Sequence, residues 1–239
     1  MSNASNDGVV IVTGASQGVG RATVRALVED HGATVLAIAR NGAQLEELAN
    51  VLHAGPGAME LLELDITQDD ASRRIVEALG PRPIRALVHN AGALLKAPLG
   101  ATTPKALEDL FRVNVFAPLL LTQALADRML GGGGGHVVHI GSMGGYQDSA
   151  KFPGLAAYSA SKAALACLAQ CLAVELSAKG VRSNCLALGA ADTDMLRAAF
   201  PGYQAPVSAA DMGRFVARFA LEGHNWFNGR VLPVALSTP

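Results

Sequence analysis

Charge is scarce in this sequence and nowhere collects. Lys and Arg number 19 against 20 Asp and Glu, a formal net charge of −1 over 239 residues with no block of like sign. That balance argues against nucleic acid or an anionic membrane as the main partner. Cysteine is rarer still, with three residues, Cys167, Cys171 and Cys185. An odd number makes no disulfide framework and favours a reduced, intracellular setting. Cys167 and Cys171 lie one helical turn apart and are expected as small buried packing residues. The opening MSNASNDG has neither the basic region nor the apolar run of a signal peptide, and residues 1–7 are expected to be flexible. FAPLLLTQALA is shorter than the ~20 apolar residues a bilayer span needs. The expectation is a soluble, cytoplasmic protein with no membrane partner.

What the chain has in quantity is apolar residues, half of the total, which suits one domain with a sizeable core. Short β-branched runs alternate with longer helical patterns, the sign of a parallel sheet wound with helices. Strands are predicted at Val9–Thr13, Thr34–Ala39, Met59–Leu64, Ile84–His89, His136–Ile140, Val181–Leu188 and Arg230–Val234. Helices are predicted at Val19–Asp30, Ala43–Leu52, Asp70–Leu79, Pro104–Leu130, Ala157–Lys179 and Ala209–Leu221. The result is a seven-stranded, doubly wound α/β fold of Rossmann type, with no composition shift to mark a second domain. The glycine run at 131–135 reads as a flexible turn at the amino end of a strand.

The first strand runs into TGASQGVG, which opens the first helix. Gly14, Gly18 and Gly20 let the backbone turn tightly and approach a pyrophosphate, with Ser16, Gln17 and Val19 between them. The helix that follows offers unpaired N–H groups and its positive dipole end to an anion. The second strand ends in Ala39 and Arg40, where an acid would hold the ribose 2′-hydroxyl of NAD. A guanidinium there suits a 2′-phosphate instead, so the cofactor is read as NADP. Asp65 and Ile66 in LDIT, and Asn90, Ala91 and Gly92 in HNAG, stand at strand carboxyl ends. Asp65 is placed either to accept from the adenine amino group or to cap the next helix. The three residues after His89 let backbone lie against the cofactor.

Tyr158 and Lys162 are four residues apart and share one helix face. A neighbouring ammonium favours phenolate and so is expected to lower the tyrosine pKa toward useful proton transfer. Y-x-x-x-K is common by chance, and its weight comes from its place downstream of a phosphate cradle.

Taken together, TGASQGVG, HNAG, VNVF with Asn114, IGS with Ser142 and YSASK resemble the short-chain dehydrogenase/reductase family in its single-domain form, over nearly the whole chain. The resemblance implies that Tyr158 is the proton donor or base, and that Lys162 binds the nicotinamide ribose and lowers the tyrosine pKa. It further implies that Ser142 hydrogen-bonds the substrate oxygen and Asn114 holds a water in a proton relay. It places Gly189, the backbone at Ala191 and the Thr193 hydroxyl beside the nicotinamide.

Four features depart from the family pattern. Ser142 and Tyr158 are spaced more widely than usual, so MGGYQDSAKFPGLAA is expected to bulge outward and wall the substrate pocket. Leu188 replaces a proline before Gly189. His89 replaces an asparagine, and a structural role is favoured for it over a catalytic one. The last strand lacks the acid-Gly-Gly that normally follows it, which leaves a homodimer and a homotetramer both open; a dimer would use the helices at 104–130 and 157–179.

The expected activity is NADP(H)-dependent interconversion of a small-molecule carbonyl and its alcohol, with reduction favoured. Leu94, Leu95, Tyr146, Phe152, Leu155, Met195, Leu196, Phe200 and Tyr203 are expected to border a hydrophobic or aromatic ketone. The competing readings are a non-catalytic NADP-binding regulator and a sugar-nucleotide epimerase or dehydratase. An intact Ser-Tyr-Lys-Asn set speaks against the first, and the short chain against the second.

Overall fold

The strands are continuous apolar runs because both faces of the sheet are covered. In VVIVT, which forms β1 (Val9–Thr13), all five residues are buried. Alternate side chains serve opposite layers. Val10 and Val12 join Val24, Leu27, Val35 and Val216 on one side, while Val9 and Ile11 join Leu36, Ile75, Leu87 and Leu121 on the other. A one-residue slip would exchange the two sets, and this is what pins the register.

In the computed structural model, which describes residues 8–130 and 134–236, the chain forms one seven-stranded parallel sheet. The strands are β1, β2 (Thr34–Ala39), β3 (Ala58–Glu63), β4 (Ile84–His89), β5 (Gly135–Ile140), β6 (Val181–Leu188) and β9 (Val231–Val234). Their order is β3-β2-β1-β4-β5-β6-β9. The seven predicted strands are present, with ends moved by one residue at β3, β5 and β9. The short strands β7 (Ala191–Asp192) and β8 (Val207–Ser208) pair as a separate parallel ribbon that the sequence did not announce. The first seven residues and most of the glycine run, for which flexibility was expected, lie outside the described residues.

One side of the sheet carries α1 (Gly18–Glu29), α2 (Gly42–Leu52) and α8 (Ala209–Glu222). The other carries α3 (Ala71–Leu79), α4 (Pro104–Phe111), α5 (Ala117–Leu125) and α6 (Ala156–Glu175). The helix α7 (Asp194–Ala199) lies in the segment between Thr193 and α8.

Two expectations need correction. The long helix at 104–130 is broken: between α4 and α5 the five residues Arg112–Phe116 make a π-turn. Pro118 has no N–H to offer the carbonyl of Asn114, so the regular i→i−4 ladder fails there. Cys167 and Cys171 are exposed rather than packed inside. The buried face of α6 is set by Leu165, Ala169 and Leu172, and the two cysteines point the other way.

The order of strands reverses its direction of growth between β1 and β4, and at such a switch point the connecting loops diverge and leave a crevice at the strand carboxyl ends. On the cradle's own side α1 crosses α8 very closely, since a Cβ added to Gly213 would lie 2.5 Å from the Ala22 Cβ. Gly213→Val is therefore expected to cost about 1–3 kcal/mol by overpacking. Gly100→Ala, where the added carbon meets nothing within 4 Å, should stay within about 0.5 kcal/mol of the parent. Urea unfolding followed by circular dichroism checks both.

Candidate active site

The crevice is a cavity of about 530 Å³. Its floor is built first by Thr13, whose Oγ1 accepts the N–H groups of Asn90 at 3.2 Å and Ala91 at 3.1 Å. Asn90 returns its Nδ2 to the carbonyls of Thr13 at 3.1 Å and Gly14 at 3.0 Å. These four bonds lock the ends of β1 and β4 together. Gly14, at φ +68°, and Gly20 are required by that closeness. A Cβ on Gly14 would lie 2.7 Å from Ala91 Cα, and one on Gly20 would lie 2.2 Å from the Gly14 carbonyl oxygen.

Gly14, Ser16, Gln17, Gly18, Val19 and Gly20 all line the cavity. Gln17 stands at the N-cap of α1 without making a side-chain cap bond, and no acid occupies the first turn. The donors of the first turn are thus left to whatever lies in the cleft. By contrast, Asn41 caps α2 through Gln44 N–H. Arg40, Asp65, Ile66, Asn90, Ala91, Gly92, Gly189, Ala191 and Thr193 line the same cavity. Arg40 is exposed at its rim. Asp65 caps no helix: its Oδ1 accepts from Thr67 N–H at 2.9 Å and Thr67 Oγ1 at 2.7 Å, while Asp70 holds the N-cap position of α3. Thr193 caps α7 by accepting from Leu196 N–H at 3.2 Å, which leaves its own proton to donate.

Ser142, Tyr158 and Lys162 meet at the other end. Ser142 follows β5 and accepts the Gly144 N–H at 3.1 Å, which starts a tight turn at Met143–Gly145. Gly145 then lies against α6, where an added Cβ would be 2.6 Å from the Lys162 carbonyl carbon. This contact seats the turn on the helix, and the long Ser142–Tyr158 interval bulges away from it. Ser142 and Tyr158 both border the cavity beside Gly144, and the Ser142 hydroxyl is near enough to the phenol to favour its charged form. Lys162 is buried and donates to the Ile140 carbonyl at 2.9 Å.

The expected lowering of the Tyr158 pKa is not what this arrangement produces. Burial pushes the phenol up, the Ser142 hydroxyl pulls it only partly back, and Lys162 turns its ammonium to Ile140 instead. Lys162 is itself lowered to about 8 by burial. Asn114 does not line the cavity. It is fully buried behind it, with Oδ1 accepting from Ala93 N–H at 2.8 Å and Nδ2 donating to the Ala93 carbonyl at 3.0 Å and to Ser161 Oγ at 2.9 Å. The side chain makes three hydrogen bonds, and Pro118 leaves the backbone carbonyl of Asn114 without its usual i+4 donor. Ser161 was missed by sequence reasoning. Its hydroxyl donates to the Tyr158 carbonyl at 2.7 Å and so ties the tyrosine to Asn114. The only local signal was a polar residue on the buried face of an apolar helix.

Of the expected substrate border, Leu94, Phe152, Leu155, Met195, Leu196 and Phe200 line the cavity. Leu95, Tyr146 and Tyr203 do not. The Tyr146 carbonyl is held by Ser149 and Lys151, and Tyr203 N–H turns back to the Phe200 carbonyl beyond α7. Met143 and Val113 line the cavity and were not foreseen. His89 is structural: it is buried, stacked on His139 at 5.0 Å and hydrogen-bonded with Thr122 at 2.8 Å, and burial holds its pKa near 3. Leu188 is held in β6 opposite Val234, and the Gly189 N–H that follows it donates to the Val234 carbonyl.

A glycine cradle under an uncapped helix and a Ser-Tyr-Lys cluster thus share one cleft. Residues 8–204 match the family model described as short chain dehydrogenase. The chain belongs to the short-chain dehydrogenase family. Members are oxidoreductases that use nicotinamide cofactors on small molecules. The chain is 29% identical over 251 residues to an NADPH-dependent aldehyde reductase-like protein, chloroplastic, of Arabidopsis thaliana, covering 95% of this chain and 92% of that one. It is 34% identical over 175 residues to carbonyl reductase [NADPH] 2 of Sus scrofa, covering 73% and 68%. A short chain dehydrogenase from Burkholderia cenocepacia, crystallised with NADP, superposes with a TM-score of 0.84 at 28% identity over 96% of both chains.

For a short-chain dehydrogenase the cradle should carry nucleotide binding. Gly20→Ala is expected to weaken binding of a nicotinamide dinucleotide by roughly tenfold or more, because the added carbon would lie 2.2 Å from the Gly14 carbonyl oxygen and displace the turn. Titration of nucleotide fluorescence measures it, and unchanged affinity would remove the cradle from the cofactor site.

Proposed function

We propose that this short-chain dehydrogenase is an NADPH-dependent reductase of hydrophobic or aromatic ketones, running in reverse as an alcohol dehydrogenase. The observation that carries the reading is that Ser142, Tyr158 and Lys162 open into the same cavity as the glycine cradle and Arg40. The NADPH-linked names of the two relatives and the NADP of the Burkholderia structure support the choice of cofactor.

The uncapped first turn of α1 would hold the pyrophosphate, Arg40 the 2′-phosphate, Asp65 the adenine end, and Thr193 with the backbone at Ala191 the carboxamide. When bound, reduced nicotinamide supplies the hydrogen and two electrons that the carbonyl carbon takes up. Tyr158 donates the proton to the carbonyl oxygen, and its raised pKa keeps it in the neutral form needed for that at neutral pH. Ser142 holds the same oxygen by a hydrogen bond. Lys162 orients the cofactor ribose and places positive charge beside the phenol as it loses its proton. Asn114, through Ser161, keeps Tyr158 and Lys162 on their shared face. A second copy of the chain is the expected partner, packed on the exposed stripe of Ala163, Cys167, Cys171 and Val174 on α6; light scattering would give its stoichiometry.

NADPH oxidation against aromatic ketones, β-keto esters, quinones and aldehydes tests the reading, with NADH alongside. Tyr158→Phe should lose about 10²–10⁴-fold in turnover with NADPH still bound. Arg40→Ala should raise the KM for NADPH by roughly tenfold and leave that for NADH little changed. Absence of NADPH binding in the parent would sink the proposal.

A separate expectation concerns pH. Lys162 loses its charge as pH rises through about 8, so kcat/KM for reduction should fall above that value. The neutral Tyr158 donor should keep the rate level on the acid side. Lys162→Met should remove the alkaline inflection while lowering the whole profile.

A further inference from the structure

The far wall of the substrate half is fastened by contacts that no short motif encodes. Lys96, on the loop after β4, sends its Nζ to the carbonyl of Ala199, the last residue of α7. That oxygen is one of the unpaired acceptors of a helix end, where a cation is favoured. The same Nζ lies 4.8 Å from the centre of the Phe200 ring, within cation–π range. Phe200 in turn meets Phe152 at 5.6 Å between centroids and 76° between planes. One residue along from Lys96, the Ala97 N–H donates to the Gly154 carbonyl at 2.9 Å. The loop after β4, the long insert after Ser142 and the helix α7 are thereby joined at one place.

Resting on the reductase reading above, we propose that Lys96, Phe152 and Phe200 form a clasp that closes the substrate pocket and selects ketones carrying a flat aromatic group next to the carbonyl. Both rings line the cavity, and at 76° they make a corner. A flat substrate ring stacks on one and meets the other edge-on, the two arrangements that aromatic quadrupoles favour. The neighbouring lining side chains Leu94, Met143, Leu155 and Met195 are apolar. Asp194, the acid that reaches this end, is paired with Arg197 at 2.7 Å and offers no free charge to a polar substrate. Lys96 acts as a positioning residue, since it does not line the cavity itself but holds Phe200 and the end of α7 in place.

Two measurements test this. The first is kcat and KM for acetophenone against 2-octanone, equal in carbon count, in the parent, Phe152→Leu and Phe200→Leu. The aryl-over-alkyl ratio of kcat/KM should fall about fivefold in each variant, the size expected of one aromatic pair. The second is nicking at Arg197 by an arginine-specific protease, followed by mass, in Lys96→Met and Lys96→Arg. Nicking should be several times faster with methionine and return toward the parent rate with arginine; the KM for both ketones should rise with methionine more than kcat changes. If nicking is not accelerated in Lys96→Met, the clasp is overturned whatever the activity. If the ketones turn over and the ratio is unmoved in both phenylalanine variants, the selection is overturned and the reductase reading stands. If nicking accelerates but the parent reduces neither ketone, the reductase reading fails and the clasp stands as the closing device.

Discussion

The carboxamide of Asn114 holds three pieces of chain at once, and the geometry of the reacting end depends on it. It bonds both backbone groups of Ala93, and through Ser161 it reaches the Tyr158 carbonyl. A buried carboxamide left with any of these unmade would carry the desolvation cost of an unpaired polar group. The network is complete, so it can fix the loop after β4 against α6 rather than merely fill space. The π-turn that presents Asn114 follows from Pro118, which removes the donor its carbonyl would otherwise meet.

The cleft divides into halves with different physics. The half at the glycine cradle is made of backbone: close strand ends, an uncapped helix start, and glycines whose missing side chains let the chain pass within van der Waals distance of itself. The substrate half is made of side chains on long connections, the insert after Ser142 and the segment around α7. Burial raises Tyr158 and lowers Lys162 at the junction, so both lean toward their neutral forms. An acid that stays protonated and a cation poised near neutrality suit proton delivery to a carbonyl oxygen, and this differs from the simpler picture of a lysine that only acidifies its neighbour.

Much of this was legible beforehand. Strands buried on both faces read as unbroken apolar runs, so all seven strands of the main sheet could be placed to within a residue. The residues expected at the cofactor line one cavity, because each belongs to a local unit of strand end and loop that the sheet merely brings alongside the others. Errors came where a local pattern was given a tertiary meaning. Cys167 and Cys171 look like core residues until Leu165 and Leu172 settle which face of α6 is buried. Tyr146 and Tyr203 look like pocket walls until the bulge and the turn after α7 take them off the cavity lining.

The sequence by itself determined the parallel sheet, the glycine turn after β1 and the Tyr158–Lys162 face, because glycine turns, apolar runs and helical spacing act over a few neighbours. Only the tertiary structure decided the titration of that pair, the engagement of Asn114 with Ser161, and the Lys96–Phe200–Phe152 corner. Burial depends on everything that packs around a group, and Lys96 and Ala199 meet across 103 residues of chain. No local pattern specifies a contact of that span; it exists because the sheet returns both segments to the same edge of the cleft.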